Sequence, residues 1–268
     1  MRSPAPRSLG YYTDVAIRRL EGSAVTRESD HWRIETPANP SFYWGNFLLF
    51  DESSVARPTE LLDQFQRSFP AARHVAIGVD MMTSGLANAE EFRQVGLTVE
   101  SASILVADTE AIGSERQSDA DIRPLRQASE WEAFVAIGMQ TRDDIYDEAE
   151  YFAYLRDGAI LRRQVAASGA AVWFGAFVDG QLAAHLGLYD CGAGVARYQS
   201  IVTAPDYRRQ SLASDLVRVA AQFGREVFDT TTLVIAADPD YHAITLYESL
   251  GFERRESQVL IQRPSPLA

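Results

Sequence analysis

The sequence predicts an α/β fold, layered in the α+β manner and built as two units in tandem. Three observations predict it. Apolar, β-branched runs of strand length alternate with stretches whose apolar residues recur at spacings of three and four, the period of a helix with one buried face. One arrangement occurs twice: His74 to Asp80, then Phe92-Arg93-Gln94-Val95-Gly96-Leu97, parallels Thr232 to Asp238, then Tyr247-Glu248-Ser249-Leu250-Gly251-Phe252. In both, a strand ending in Asp precedes a helix with an aromatic four residues before a glycine. A chance echo within an α/β chain is the alternative. Between the copies, Asp108 to Asp121 is polar and carries Gly113, Ser114 and Ser118, the composition of a linker. The expected division is 1–110, a linker over 111–120, and 121–268.

Composition narrows the class. With 46% hydrophobic and 23% charged residues, the 268-residue chain reads as a soluble globular protein. No apolar run approaches the length needed to span a bilayer. Arg2 and Arg7 lack a following apolar core, so no secretory signal is read. The single cysteine, Cys191, excludes an intramolecular disulfide framework and a Cys-based zinc site, and fits a reducing cytoplasm. The net charge of −12 argues against nucleic acid as a partner; it favours cationic small molecules, or is simply a solvated acidic surface.

The first unit takes shape as follows. Residues 1 to about 10 should be mobile, and Asp14 to Leu20 a short helix. Trp32 to Thr36 reads as a strand, then Pro37-Ala38-Asn39-Pro40 as a loop. Ser41 to Phe50, rich in aromatic and apolar residues, should be a long strand. Of Phe42-Tyr43-Trp44, at least two should be core, since neighbours on a strand face opposite sides; a cleft wall is the other reading. Leu61, Leu62, Phe65 and Phe69 mark an amphipathic helix. His74 to Asp80 is a buried strand, Ala89 to Val95 a helix stopped by Gly96, and Val99 to Ala107 one or two strands.

The second unit begins afresh with a strand at Ile122-Arg123-Pro124-Leu125 and a helix capped by Ser129. A second helix spans roughly Ala149 to Ala167. Val172 to Phe177 and Leu182 to Tyr189 form a hairpin around Asp179-Gly180. Arg197 to Thr203 is the fourth strand. After the turn at Ala204-Pro205-Asp206, Leu212, Leu216, Val219, Phe223 and Val227 begin a helix at once. A strand, a tight loop and a helix can bind phosphate. Helix-start amides lack internal partners, and the helix dipole adds partial positive charge. Small residues at Ser211, Ala213 and Ser214 let an anion approach, with Arg208 and Arg209 beside it. An ordinary turn with two solvated arginines is the other reading. Thr232 to Ala236 is a buried strand; a turn at Asp238-Pro239-Asp240 leads to a helix with Ala243, Ile244, Tyr247 and Leu250 on one face, ended by Gly251. Gln258 to Ile261 is the last strand.

Arg208-Arg209-Gln210-Ser211-Leu212-Ala213 resembles the acyl-CoA loop of the GNAT superfamily of N-acetyltransferases, which reads Arg/Gln-x-x-Gly-x-Gly/Ala. Ser211 replaces the first Gly, a costly change if the position needs positive φ. Ala243 to Phe252 resembles that family's second block, Asn-x-x-Ala-x-x-Leu-Tyr-x-x-x-Gly-Phe, with Asp240 where Asn is usual. The resemblance implies two GNAT-like units, each a mixed, mostly antiparallel sheet flanked by helices. The N-terminal unit would have lost cofactor binding: Asp51 to Thr59 has no phosphate loop, and Phe92 replaces Tyr247.

It also implies the chemistry. Acetyl-CoA would be the co-substrate, with no metal. The backbone of Ile201, Val202 and Thr203 would pair with the pantetheine arm. Amides and side chains of Arg208, Arg209, Gln210, Ser211, Leu212, Ala213 and Ser214 would hold the pyrophosphate, with Asp240 near the CoA arm. Tyr247 would be the general acid that protonates the departing sulfur; as a bare sequence position it is equally a core tyrosine. The family often has a Glu near the start of the fourth strand as base. Arg197-Tyr198-Gln199-Ser200 has none, which leaves water, Asp190 or His185. His185 and His242 also read as structural or surface residues. The acceptor would be an amine of a small molecule or peptide. The five carboxylates of Asp143-Asp144-Ile145-Tyr146-Asp147-Glu148-Ala149-Glu150 would attract a cationic one such as a polyamine or aminosugar, or are a solvated turn. An acyl-CoA-binding module without turnover is the alternative function, and a homodimer is compatible with the sequence.

Overall fold

A computed structural model of the chain describes residues 5–37, 39, 42–55, 57–82, 85–86, 88–144, 146–240 and 243–263. The chain divides into two compact units. The first comprises 1–105, 236–244 and 254–268, and the second 106–235 and 245–253.

The first unit holds α1 (Leu9–Leu20), β1 (Ala24–Arg27), β2 (His31–Glu35), β3 (Phe47–Asp51), α2 (Pro58–Ser68), β4 (Val75–Asp80), α3 (Ala89–Gln94) and most of β5 (Thr98–Asp108). Its strand order is β1-β2-β3-β4, then the chain's final strand β11 (Glu253–Arg263), then β5. The parallel pair β3–β4 is joined by α2, whose Pro58 occupies the first turn, where its missing N–H is no loss. Leu61 and Phe65 on α2 are buried against Phe47, Leu49, Ile77 and Val79 in one core cluster. Each such side chain contributes about 1.5–3 kcal/mol.

Three expectations change here. Ser41–Phe50 is not one strand. Tyr43–Gly45 is a 3-10 turn and pairing starts at Phe47; Ser41 lies outside the described residues. Asn46 is the cause: its side chain donates to the carbonyls of Asn39 and Phe42 and accepts from the Thr36 amide, a local alternative to the ladder. Tyr43 and Trp44 still pack on the core, with Tyr43 Oη and Trp44 Nε1 both donating to Gln262 Oε1. Nor is the start of the chain mobile throughout. The helix begins at Leu9, and the Asp80 carboxylate accepts from Arg7 N (2.7 Å), Ser8 N (2.9 Å) and Ser8 Oγ (2.7 Å). Finally, the last strand forms but does not stay with the second unit, as a division at 121–268 would require. It pairs antiparallel with β4, from Val259 opposite Val79 to Arg263 opposite Val75. Tyr11 Oη donates to the Val259 carbonyl and Gln258 Nε2 donates to Asp14. Alternation identifies a strand, whereas its partner is chosen by long-range packing.

The second unit holds β6 (Asp121–Pro124), α4 (Ala128–Gln140), α5 (Glu148–Ala167), β7 (Ala171–Val178), β8 (Gln181–Asp190), β9 (Val195–Thr203), α6 (Leu212–Val227), β10 (Thr232–Ala237, up to Ile235 in this unit) and α7 (Ala243–Ser249, from Thr245). Its strand order is β10-β9-β8-β7-β6, antiparallel except for β9–β10. The β7–β8 turn has φ of 49° at Asp179 and 77° at Gly180, the left-handed pair that a two-residue hairpin needs. Gln127, not Ser129, precedes α4; Glu130 secures that end by accepting from Arg126 N and Gln127 N. The segment read as a linker belongs to this unit: Asp215, fully buried on α6, accepts from Gln117 N, Ser118 N and Ser118 Oγ.

Replacing Asp80 with Ala removes every acceptor of that buried group at once. We expect stability to fall by about 1–3 kcal/mol, read as a lower urea midpoint; an unchanged midpoint would show that the α1 start is held by other contacts.

Candidate active site

The site begins where two parallel strands part. β9 and β10 pair only from Val195 opposite Thr232 to Arg197 opposite Val234. Beyond that point both strands continue, β9 to Thr203. Ile201, Val202 and Thr203 lie in a central strand yet are only half-buried. On their β10 side the backbone groups have no ladder partner among the described residues, and such groups need one. On the other side β9 stays bound to β8, with one added residue. His185 opposite Val202 is followed by Gly187 opposite Gln199, and Ser200 there has φ of 50°. This is a β-bulge, which bends the strand and re-aims its groups. No motif announces Ser200; the only trace is the missing carboxylate around it.

The loop after β9 leads into the start of α6. Arg209 and Ser211 both have left-handed backbone, φ 62° and 61°, interrupting the right-handed path into α6. Left-handed residues beside right-handed ones turn successive amides inward, as an anion nest requires. The position of Ser211 does need positive φ, so the serine stores strain that glycine would not. Its Oγ donates to Gln117 Oε1 at 3.0 Å. Arg208, Arg209 and Gln210 are exposed, Ser211 and Ala213 half-buried, and Leu212 and Ser214 buried. Leu212 therefore holds the helix down while Ser211 and Ala213 stay partly open to solvent. Asp215, one turn in, would oppose an anion, but its charge is taken up by the 117–118 amides and by Arg218 Nη1 at 3.5 Å. Gln117, Ser118 and Asp215 were not legible as site residues, because the segment read as a linker.

Tyr247 is buried in α7 and its ring meets Phe252, centroids 6.4 Å apart. Phe252 in turn meets Tyr198, at 6.0 Å, one residue past the last β9–β10 pair. Ile201–Thr203, Arg208–Ser214 and Tyr247 all belong to the second unit, and Tyr247 is linked through Phe252 to Tyr198 of β9. Asp240 lies in the 236–244 stretch of the first unit, exposed, its amide donating to Asp238 Oδ1. His242 lies outside the described residues. Of the base candidates, His185 is fully buried, and burial, reinforced by the charge of Arg162, pulls its pKa down to about 3. It is neutral at physiological pH and a poor proton acceptor. Asp190 sits at the other end of β8, opposite Ala196, where it accepts from Gly192 N.

The equivalent place in the first unit is closed. β3 and β4 remain paired through their last residues, Asp51 opposite Asp80. A cavity of about 290 Å³ there is lined by Arg7, Asp51, Glu52, Ser53 and Asp80. Its three carboxylates oppose a pyrophosphate. Phe92, fully buried, stands where the other unit has Tyr247.

The profile of the acetyltransferase (GNAT) family matches residues 131–252. This stretch is a GNAT acetyltransferase domain. The profile spans under half of the chain; over nearly the whole chain the likeness is one of fold, to tandem GNAT proteins. Among solved structures, a GCN5-related N-acetyltransferase from Kribbella flavida superposes with a TM-score of 0.65 at 16% identity, covering 97% of this chain and 98% of that one. A tandem GNAT protein from the clavulanic acid biosynthesis pathway gives 0.59 at 13%, covering 98% and 91%. A functionally unknown conserved protein from Staphylococcus epidermidis gives 0.72 at 12%, covering 91% and 95%. At these identities the likeness is one of fold. A search of curated protein sequences returned no match. Among the described residues no helix is long and apolar enough to cross a membrane, and no group of His, Cys, Asp and Glu could hold a metal ion.

Ser211→Gly should relieve the left-handed strain and raise stability by about 1 kcal/mol, seen as a higher thermal midpoint. A lower midpoint would mean that the hydroxyl bond to Gln117 outweighs the backbone term.

Proposed function

We propose that the second unit transfers an acetyl group from acetyl-CoA to an amine of a small molecule or peptide by direct attack. The observation that carries this is the early end of the β9–β10 ladder, which leaves an unpaired strand edge next to an anion-binding helix start. The pantetheine amides would add to β9 at Ile201, Val202 and Thr203 as a further strand, and the pyrophosphate would rest on the Arg208–Ser214 amides.

The neutral amine nitrogen attacks the acetyl carbonyl carbon, and the carbonyl oxygen becomes an oxyanion held by a strand amide beside the bulge. Collapse breaks the C–S bond, and Tyr247 gives its phenolic proton to the leaving sulfur. The attacking nitrogen loses its proton to water, since neither His185 nor Asp190 is suited to accept it. The exposed carboxylates around Asp147 would raise the local concentration of a cationic amine. A cytoplasmic setting, with its acetyl-CoA, fits this reading.

Thiol release from acetyl-CoA with a panel of primary amines tests the reaction. Turnover with at least one amine is expected; binding of acetyl-CoA without thiol release from any would favour a non-catalytic acyl-CoA-binding module. Tyr247→Phe should lower kcat by about 100-fold or more and leave acetyl-CoA affinity nearly unchanged. An unaltered kcat would remove Tyr247 as the acid.

A further inference from the structure

Arg162 occupies an unusual position on α5. Leu155, Ala159 and Val165 form the buried face of that helix, and Arg162 falls on the same face at helical spacing. Its guanidinium lies over the rings of Phe134, 5.6 Å from the centroid, and Trp173, 5.4 Å. Gly158, one turn earlier, makes room. A Cβ there would stand 2.7 Å from Arg162 Nη1. A glycine inside a helix costs roughly 0.5–1 kcal/mol relative to alanine, and here it lets the cation fold inward along the helix.

Arg142, Arg156 and Arg218 of the same unit lie beside Asp144, Asp157 and Asp215. Among the described residues no carboxylate pairs with Arg162. The groups around it are also short of acceptors. Among the described residues Trp173 Nε1 is a buried donor without a partner, and the buried His185 ring has only the Ser200 backbone beside it. His185 is neutral, as described above. Tyr151 is neutral too: burial, then Tyr154 and Tyr146, push its phenol above the usual value, although Arg162 pulls the other way. A cation against two rings, surrounded by neutral groups and unfilled donors, lacks an anion.

The place matters. Phe134 and Trp173 meet His185, at 4.2 and 6.2 Å between centroids, and His185 is the register partner of Val202 in the part of β9 that has left β10. Adjacent strands lie about 4.8 Å apart, so the cluster stands one strand from the expected acyl group. A guanidinium presents a planar N–H fork, and a carboxylate matches it with two parallel hydrogen bonds.

We propose that Arg162 binds a carboxylate on the acyl acceptor, so that the substrate is an amine that also carries a carboxylate, of the amino-acid class. This rests on the acyl-transfer reading. It also gives the acidic loop a part: exposed carboxylates draw in the ammonium end while Arg162 fixes the other.

The test uses matched probes with the full chain: L-lysine against cadaverine, L-phenylalanine against phenethylamine, and L-leucine against isoamylamine. Each is measured by thiol release from acetyl-CoA and by calorimetric titration of CoA-saturated protein. The wild type should favour the carboxylate-bearing member of at least one pair by about 10–100-fold. Arg162→Met should abolish that preference while leaving kcat/KM for the matching simple amine and the acetyl-CoA affinity within about twofold. Arg162→Lys, which keeps charge and fold but loses the fork, should retain part of it. Equal use of both members by the wild type in every pair, or equal losses on both members in Arg162→Lys, would overturn the proposal. Carboxylate-selective binding that depends on Arg162, without thiol release, would uphold it and refute the acyl-transfer reading instead.

Discussion

Where two parallel strands part, each backbone N–H and C=O on the facing edges must find a partner other than its neighbour strand, at about 1–3 kcal/mol for each group left buried without one. That constraint organises this protein. β9 loses β10 after Arg197 and keeps β8 on its other side through a bulge at Ser200. In the proposed reaction the edge so exposed is the template for an extended, amide-bearing ligand. Everything near it is arranged around that template: left-handed residues turn the loop amides inward, Leu212 fixes the start of α6, and Asp215 ties the 117–118 segment to the same helix end.

The first unit shows what the same plan becomes when the constraint is removed. Its parallel strands stay paired to their ends, so no edge is open, and carboxylates stand where a pyrophosphate would need amides and cations. One of them, Asp80, is committed to the start of α1. This unit takes in the chain's last strand, secured by Tyr11, Gln258 and Gln262, so the last residues in sequence complete the first unit in space.

Much of this was legible in the sequence, and the reason it was is local. Helical spacing in α2 and α6, the apolar runs of β7 and β8, and the Asp179-Gly180 turn are short-range properties that the structure keeps. The loop at 208–214 stood out because residue size and charge decide how near an anion can come to a helix start, and the structure places it directly before α6. Other features depend on contacts distant in sequence. Nothing around Gln258 reveals that its strand pairs with Val75–Val79, and nothing in 117–118 reveals a buried carboxylate 97 residues on. Asn46 turned a run of aromatic residues into a 3-10 turn through bonds to Thr36 and Asn39 that periodicity ignores. In the site, Ser211 and Tyr247 were legible as motif positions, whereas Ser200 and Arg162 emerged only from backbone conformation and from the lack of a partner.

The central claim is that one strand edge is open and its counterpart closed. Calorimetric titration of the whole chain with acetyl-CoA, beside an Arg208→Ala/Ser211→Glu variant, tests it most directly. The account predicts saturable binding at one site per chain, lost in the variant. Two sites per chain, or one that survives in the variant, would contradict it.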